Sequence, residues 1–149
     1  MPHAAEGATA CVLNGRLYVI GGLDSNRLQV LEMTEENGLS WSCKADLPAA
    51  RYLAASCVYD GKIWVMGGYA ADEGASTSVI TYDAETDTWA TGPPLPGACG
   101  GCTATINGAD GGILLFQSNS SQYRNAAWSE VAQPFGMPRA TACGSVLLG

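Results

Sequence analysis

The sequence predicts an all-β repeat protein, a propeller of four-stranded blades, on three observations. Glycine is abundant, with 19 residues of 149, and charged residues are sparse at 14%. Glycine costs about 1 kcal/mol relative to alanine inside a helix, so this balance suits short strands and tight turns. The segment NGRLYVIGGLD, from Asn14, returns as DGKIWVMGGYA, from Asp60, and in worn form as ADGGILLFQSN, from Ala109. An interval of about 46 residues falls in the range of repeat architectures. In each copy the apolar run is continuous (Leu17 to Ile20, Ile63 to Met66, Ile113 to Phe116), which implies burial on both faces of a strand. Blades stacked around an axis supply that burial.

Each cycle holds four strands. The first is small and apolar, as in Ala54 to Tyr59. A two-residue Asn-Gly or Asp-Gly turn follows, a hairpin signal because both central residues must accept positive φ. The second strand is the continuous apolar run. The third is QVLEMT (Gln29 to Thr34) or SVITYD (Ser78 to Asp83), and the fourth starts at Trp41, Trp89 or Trp128 and runs toward Pro48, Pro96 or Pro138. In the third cycle Gln117 and Ser118 stand where the glycine pair should be, and the third strand there stays open. The pairs Gly21-Gly22 and Gly67-Gly68 could suggest a phosphate loop, but neither is followed by a helix or a G-K-[ST] step. A backbone role is expected instead, letting the chain bend and approach a neighbouring blade closely. The blades are placed at about 3–50, 51–98 and 99–138, with the first strand of a fourth at about 139–149.

A strand ending in Gly-Gly, then TYDAETDTW with Tyr82, Asp83 and Trp89, then Leu-Pro and Arg, resembles the kelch repeat. The resemblance extends over nearly the whole chain. The second cycle, Arg51 to Gly97, matches closely; the first keeps Gly21, Gly22 and Trp41 but reads EMTEENGLSW at the Tyr-Asp step; the third, with Trp128, departs most. It implies a kelch-type β-propeller. Such propellers typically close with about five to seven blades, within the general propeller range. Three blades plus one extra strand therefore make an incomplete ring, completed by missing blades or by a homodimer. A fragment of a longer kelch protein is the favoured reading, because the surplus strand would compete with a partner's first strand.

The resemblance also implies a job: a non-catalytic protein–protein interaction module, as in a substrate-recognition adaptor of a cullin-type ubiquitin ligase. The alternatives are a fragment of a propeller enzyme of the sugar-acid epimerase or oxidase type, and a degenerate structural remnant. By the same resemblance the partner sits on loops Leu23 to Arg27, Tyr69 to Thr77 and Ala49 to Tyr52. The expected partner-binding residues are Asp24, Arg27, Arg51, Tyr52, Tyr69, Asp72 and Glu73. Loops on rigid scaffolds carry recognition, and Arg and Tyr are favoured at hot spots. Arg51 fits a framework role at the blade rim equally well.

Composition narrows the rest. A net charge of −7, from 14 acidic and 7 basic residues, provides no basic cluster for nucleic acid or an anionic membrane. No apolar window approaches the length of a spanning helix. The N-terminal sequence lacks a basic region followed by a long apolar one, so a cytoplasmic location, or a nuclear one, is expected. In that compartment the six cysteines are expected as free thiols, including the CGGC pair Cys99 and Cys102, read as buried small hydrophobes. His3 is the single histidine, which argues against a histidine triad, a multi-histidine metal site or a copper oxidase. No catalytic residue, metal ligand or cofactor is expected.

Overall fold

The computed structural model describes residues 3–23, 25–34, 38–70, 74–107, 111–116, 121–124 and 126–130. Blade 1 contains β1 (Thr9–Leu13), β2 (Arg16–Ile20), β3 (Leu28–Thr34) and β4 (Gly38–Cys43), paired in that order. Blade 2 opens with β5 (Ala55–Tyr59) and β6 (Lys62–Met66), breaks for a small hairpin of β7 (Tyr69–Ala70) and β8 (Gly74–Ala75), and resumes with β9 (Val79–Asp83) and β10 (Thr88–Thr91). Blade 3 comprises β11 (Thr103–Ile106), β12 (Ile113–Phe116), β13 (Ser121–Arg124) and β14 (Ala127–Glu130). Every pairing within the blades is antiparallel. Among the described residues no helix is long and apolar enough to cross a membrane.

The fold is all-β, with the four-stranded blades that the repeat predicts and some local differences. The open third strand of cycle three is β13, held between β12 and β14. β4 begins three residues before Trp41, because β3 pairs along its whole length out to Thr34 opposite Gly38. Residues 69–77 are not a plain loop: they contain the β7–β8 hairpin. The proposed extra strand at 139–149, with Pro138, lies outside the described residues.

The expected turns are present. Asn14 and Gly15 take φ of 50° and 72°, Asp60 and Gly61 take 49° and 69°, the mirror-image turn that matches strand twist. Between blades 1 and 2, Tyr18, Ile20, Leu28 and Val30 pack against Ile63, Val65, Ile80 and Tyr82. Between blades 2 and 3, Trp64, Met66 and Val79 pack against Ile113, Leu115 and Tyr123. An aromatic contact crosses each interface, Tyr18–Tyr82 at 6.0 Å and Trp64–Tyr123 at 4.9 Å between ring centroids. A hydrogen bond also crosses each: the Trp89 indole N–H donates to Ala45 O (2.8 Å), and that of Trp128 to Pro93 O (3.0 Å).

The TYDAETDTW segment is a turn organised by carboxylates. Asp83 accepts from the Glu85 and Thr86 amides and pairs with Lys62 at 3.1 Å. The Tyr82 hydroxyl donates to Asp87 Oδ1 at 2.6 Å, and the same oxygen accepts the Ala45 amide of blade 1 at 2.9 Å. These two donors hold the Asp87 carboxyl below its usual range, the Tyr82 hydroxyl contributing most. Burial, reinforced by that bond, pushes the Tyr82 phenol up.

The cysteines depart from expectation. Cys99 and Cys102 are joined as a disulfide rather than left as thiols, because the intervening Gly100 and Gly101, the latter at φ 69°, turn the chain back on itself. Cys11, Cys43 and Cys57 are free. Burial pushes the Cys11 and Cys57 thiols up to about 12, so both are neutral small hydrophobes near pH 7.

The glycine pairs have a backbone role. Gly21 and Gly67 donate to Arg27 O (2.9 Å) and Ser78 O (3.0 Å), while Gly22 and Gly68 donate to Arg51 O (2.8 Å) and Cys99 O (2.6 Å). Gly21 and Gly67 lie at φ 68° and 63°, and a Cβ on either would overlap the carbonyl of Arg51 or Cys99.

Two outcomes follow for stability. Gly67→Ala forces both left-handed backbone strain, worth about 1–3 kcal/mol, and that overlap. Its urea midpoint should therefore fall clearly, while Gly97→Ala, whose Cβ meets nothing within 4 Å, stays within about 0.5 kcal/mol of the parent. The second concerns acid. A carboxyl depressed in the fold contributes stability above its unfolded value, about 3.9, and loses it as pH falls through the folded value. Between pH 7 and pH 3, denaturant titrations should show a larger loss for the parent than for Asp87→Asn.

Candidate partner-binding face

Three chain segments meet at one end of blades 1 and 2, and the glycine pairs bring them together. The amide of Gly22 reaches Arg51 O, and the Arg51 amide reaches Ser25 O at 3.3 Å, so segment 49–52 lies against segment 21–27. Tyr52 and Tyr69 then exchange both backbone hydrogen bonds, at 3.0 and 2.8 Å, and their rings stack at 5.5 Å with a 30° interplanar angle. The Tyr69 ring lies on Gly100, where a Cβ would overlap it. Both tyrosines are partly exposed. The result is a fixed aromatic pair above the Cys99–Cys102 turn.

Arg51 stands beside it. Its guanidinium donates to Gly67 O at 2.8 Å, to Ser78 O at 3.2 Å and to Ser78 Oγ. Burial lowers its pKa from the ordinary arginine value, and none of the ion pairs among the described residues involves it. A cleft of about 360 Å³ opens next to the guanidinium, walled by Ala49 and Ala50 on one side and by Ala70 with Gly74–Ser78 on the other. Small side chains leave the space, and Ser76 and Ser78 line it with linked hydroxyls at 3.1 Å. Sequence reasoning missed these serines; the run of small polar residues after the glycine pair, Ala75 to Ser78, was the available signal.

The predicted residues thus divide. Arg51, Tyr52 and Tyr69 come together. Arg27, exposed, lies on the neighbouring segment and pairs with the half-buried Asp46 at 2.7 Å. Asp24, Asp72 and Glu73 lie outside the described residues. Among the described residues no three of His, Cys, Asp and Glu gather as a metal site.

Comparison with known proteins agrees with this architecture. A family model described as the Kelch motif matches residues 5–33 and 50–96, about half of the chain. The F-box protein AFR of Arabidopsis thaliana is 36% identical over 96 residues, which cover 64% of this chain and 25% of that protein. The solved structure of YjhT superposes with a TM-score of 0.82 over 94% of this chain and 55% of that one, at 16% identity, a likeness of fold alone. The chain therefore spans about a quarter of the F-box protein and about half of YjhT.

Removal of the Arg51 side chain takes the guanidinium donor from Gly67 O and leaves Ser78 O and Ser78 Oγ with one donor fewer. Arg51→Ala should cost about 1–3 kcal/mol in urea denaturation. Arg51→Lys should recover only part of that loss, since an ammonium cannot span the three acceptors as a planar fork does.

Proposed function

The chain belongs to the Kelch-motif family, and from that premise we propose that it is a non-catalytic recognition module whose partner is a protein. The partner is held where segments 49–52, 69–70 and 74–78 meet. The observation that carries this reading is the stacked Tyr52–Tyr69 pair, locked by reciprocal backbone bonds and bordered by the Arg51 cleft. Aromatic rings ordered before binding give contact area at low entropic cost, and tyrosine with arginine is the composition of interface hot spots. The net charge of −7 favours a protein over a nucleic acid. Similarity to an F-box protein supports the finer reading, substrate recognition within a ubiquitin-ligase adaptor. A cytoplasmic or nuclear location is part of the same proposal.

Affinity capture with quantitative mass spectrometry tests it. The chain, the double variant Tyr52→Ala/Tyr69→Ala and the control Glu85→Ala, changed on an exposed turn of blade 2, are compared, with circular dichroism confirming each fold. Specific partners should fall at least tenfold for the double variant, the loss expected of hot-spot residues, and stay level for the control. Equal capture by all three would place recognition on another face.

A further inference from the structure

Segments 51–54 and 99–102 open successive blades and follow the same backbone path. The amides of Gly22 and Gly68 donate to the carbonyls of Arg51 and Cys99, at 2.8 and 2.6 Å. Two residues on, Leu53 and Gly101 both stand in the left-handed region, at φ 51° and 69°. The amide of each reaches the equivalent segment of the preceding blade, at Gly7 O (2.7 Å) and Leu53 O (2.9 Å).

The two segments hold that path by different means. In the first, side chains do it: Arg51 bonds to Gly67 and Ser78, Tyr52 stacks on Tyr69, and Leu53 lies beside Gly7. In the second, only Gly100 and Gly101 stand between the cysteines. Glycine has no side chain for the purpose and loses the most freedom when ordered. The Cys99–Cys102 bond supplies the constraint instead. This turn is also the floor of the aromatic pair. The Tyr69 ring lies on Gly100, and the carbonyl and amide of Cys99 hold Gly68 and Ser76, on the two sides of Tyr69. Both cysteines are buried, at 2% and 7% exposure, so a reductant reaches the bond only when the turn opens.

We propose that Cys99–Cys102 is a thiol–disulfide exchange site whose state sets the order of the recognition face, an inference that rests on Tyr52 and Tyr69 being the partner-binding pair. In a reducing compartment, such as the one proposed above, disulfides are transient and serve sensing or catalysis. A dithiol supplies the electrons. One of its thiolates attacks a sulfur of the pair, forming a mixed disulfide and releasing the other cysteine as a thiolate, which takes up a proton. The second thiolate of the reductant then displaces the remaining cysteine, which is protonated in turn. Two cysteine thiols and one reductant disulfide result, so two electrons and two protons pass to the protein. The oxidised turn fixes the floor beneath Tyr69. The reduced turn frees Gly100 and Gly101, and the ring with them.

Amide hydrogen exchange on the whole chain, oxidised with glutathione disulfide or reduced with dithiothreitol, reads the effect without a partner, so its outcome is separate from that of partner capture. The Gly68, Tyr69 and Gly101 amides, bonded to Cys99 O, Tyr52 O and Leu53 O, should exchange at least about tenfold faster after reduction. The Gly22 amide, at the equivalent joint without a disulfide, should keep its rate. Cys99→Ser/Cys102→Ser should show the fast rates with or without reductant; if it does not fold, the oxidised and reduced parent carry the comparison. Coupling is reciprocal, so Tyr69→Ala, which lacks the ring over Gly100, should lose its disulfide to dithiothreitol at least about tenfold faster than the parent, as read by thiol titration. Cysteines 99 and 102 left unpaired by glutathione disulfide, exchange rates unchanged by reduction, or equal reduction of Tyr69→Ala and the parent overturns the proposal.

Discussion

The architecture depends on one joint: the point where the second strand of a blade ends against the backbone that opens the next blade. There two successive amides, those of Gly21 and Gly22 or Gly67 and Gly68, bond to carbonyls of two different segments. A buried amide left without an acceptor would cost about as much as a lost hydrogen bond. Both segments are therefore fixed with respect to the strand. The first glycine must be glycine because its φ is positive and because a carbonyl occupies the space of a Cβ. This joint places Arg51 and Tyr52 against the neighbouring loops, and the proposed recognition face is downstream of it.

Blade stacking then sets which residues are buried. A strand with alternate side chains on opposite faces is apolar throughout because each face meets a different blade. Ile63 and Val65 belong to the interface with blade 1, Trp64 and Met66 to the interface with blade 3. Nonpolar contact alone would let blades slide. The crossing hydrogen bonds from Trp89 and Trp128, and the reach of Asp87 to the Ala45 amide, fix the height at which they meet. Burial supplies attraction and these polar contacts supply registry, a division common to cores that hold a single arrangement.

Much of this was legible in the sequence, and what was not has physical causes. Repeated glycine pairs, Asn-Gly and Asp-Gly turns and continuous apolar strands are local signals, each tied to one backbone requirement, so the blades and their order could be read directly. Strand β13 could not, because its pairing with β12 and β14 is tertiary and the worn cycle lacks the markers that precede a third strand. The β7–β8 hairpin is two residues per strand, too short to show a period. Cys99–Cys102 was misread because compartment was weighed above geometry: two glycines between cysteines permit the turn that closes the bond. At the face, Arg51, Tyr52 and Tyr69 were accessible to residue-type reasoning, whereas Ser76 and Ser78 gain their role through the fold, when the chain returns beside Arg51.

Arg51 and Cys99 show how a repeat scaffold produces a face that does not repeat. The two occupy the same structural position, since the carbonyl of each accepts from the second glycine of a pair, and the amide of each donates to the loop after the second strand, at Ser25 O and Ser76 O. Their backbones do identical work. Their side chains do not: Arg51 extends to the end of blade 2 and caps Gly67 and Ser78, while Cys99 turns inward and bonds Cys102 beneath the Tyr69 ring. The joint itself asks only for an amide and a carbonyl at this position, so the two side chains can differ: one braces the end of blade 2, the other closes the turn that opens blade 3. The same backbone position therefore carries an arginine beside a cleft in one blade and a disulfide beneath an aromatic ring in the next, so a repeated joint yields surroundings that do not repeat.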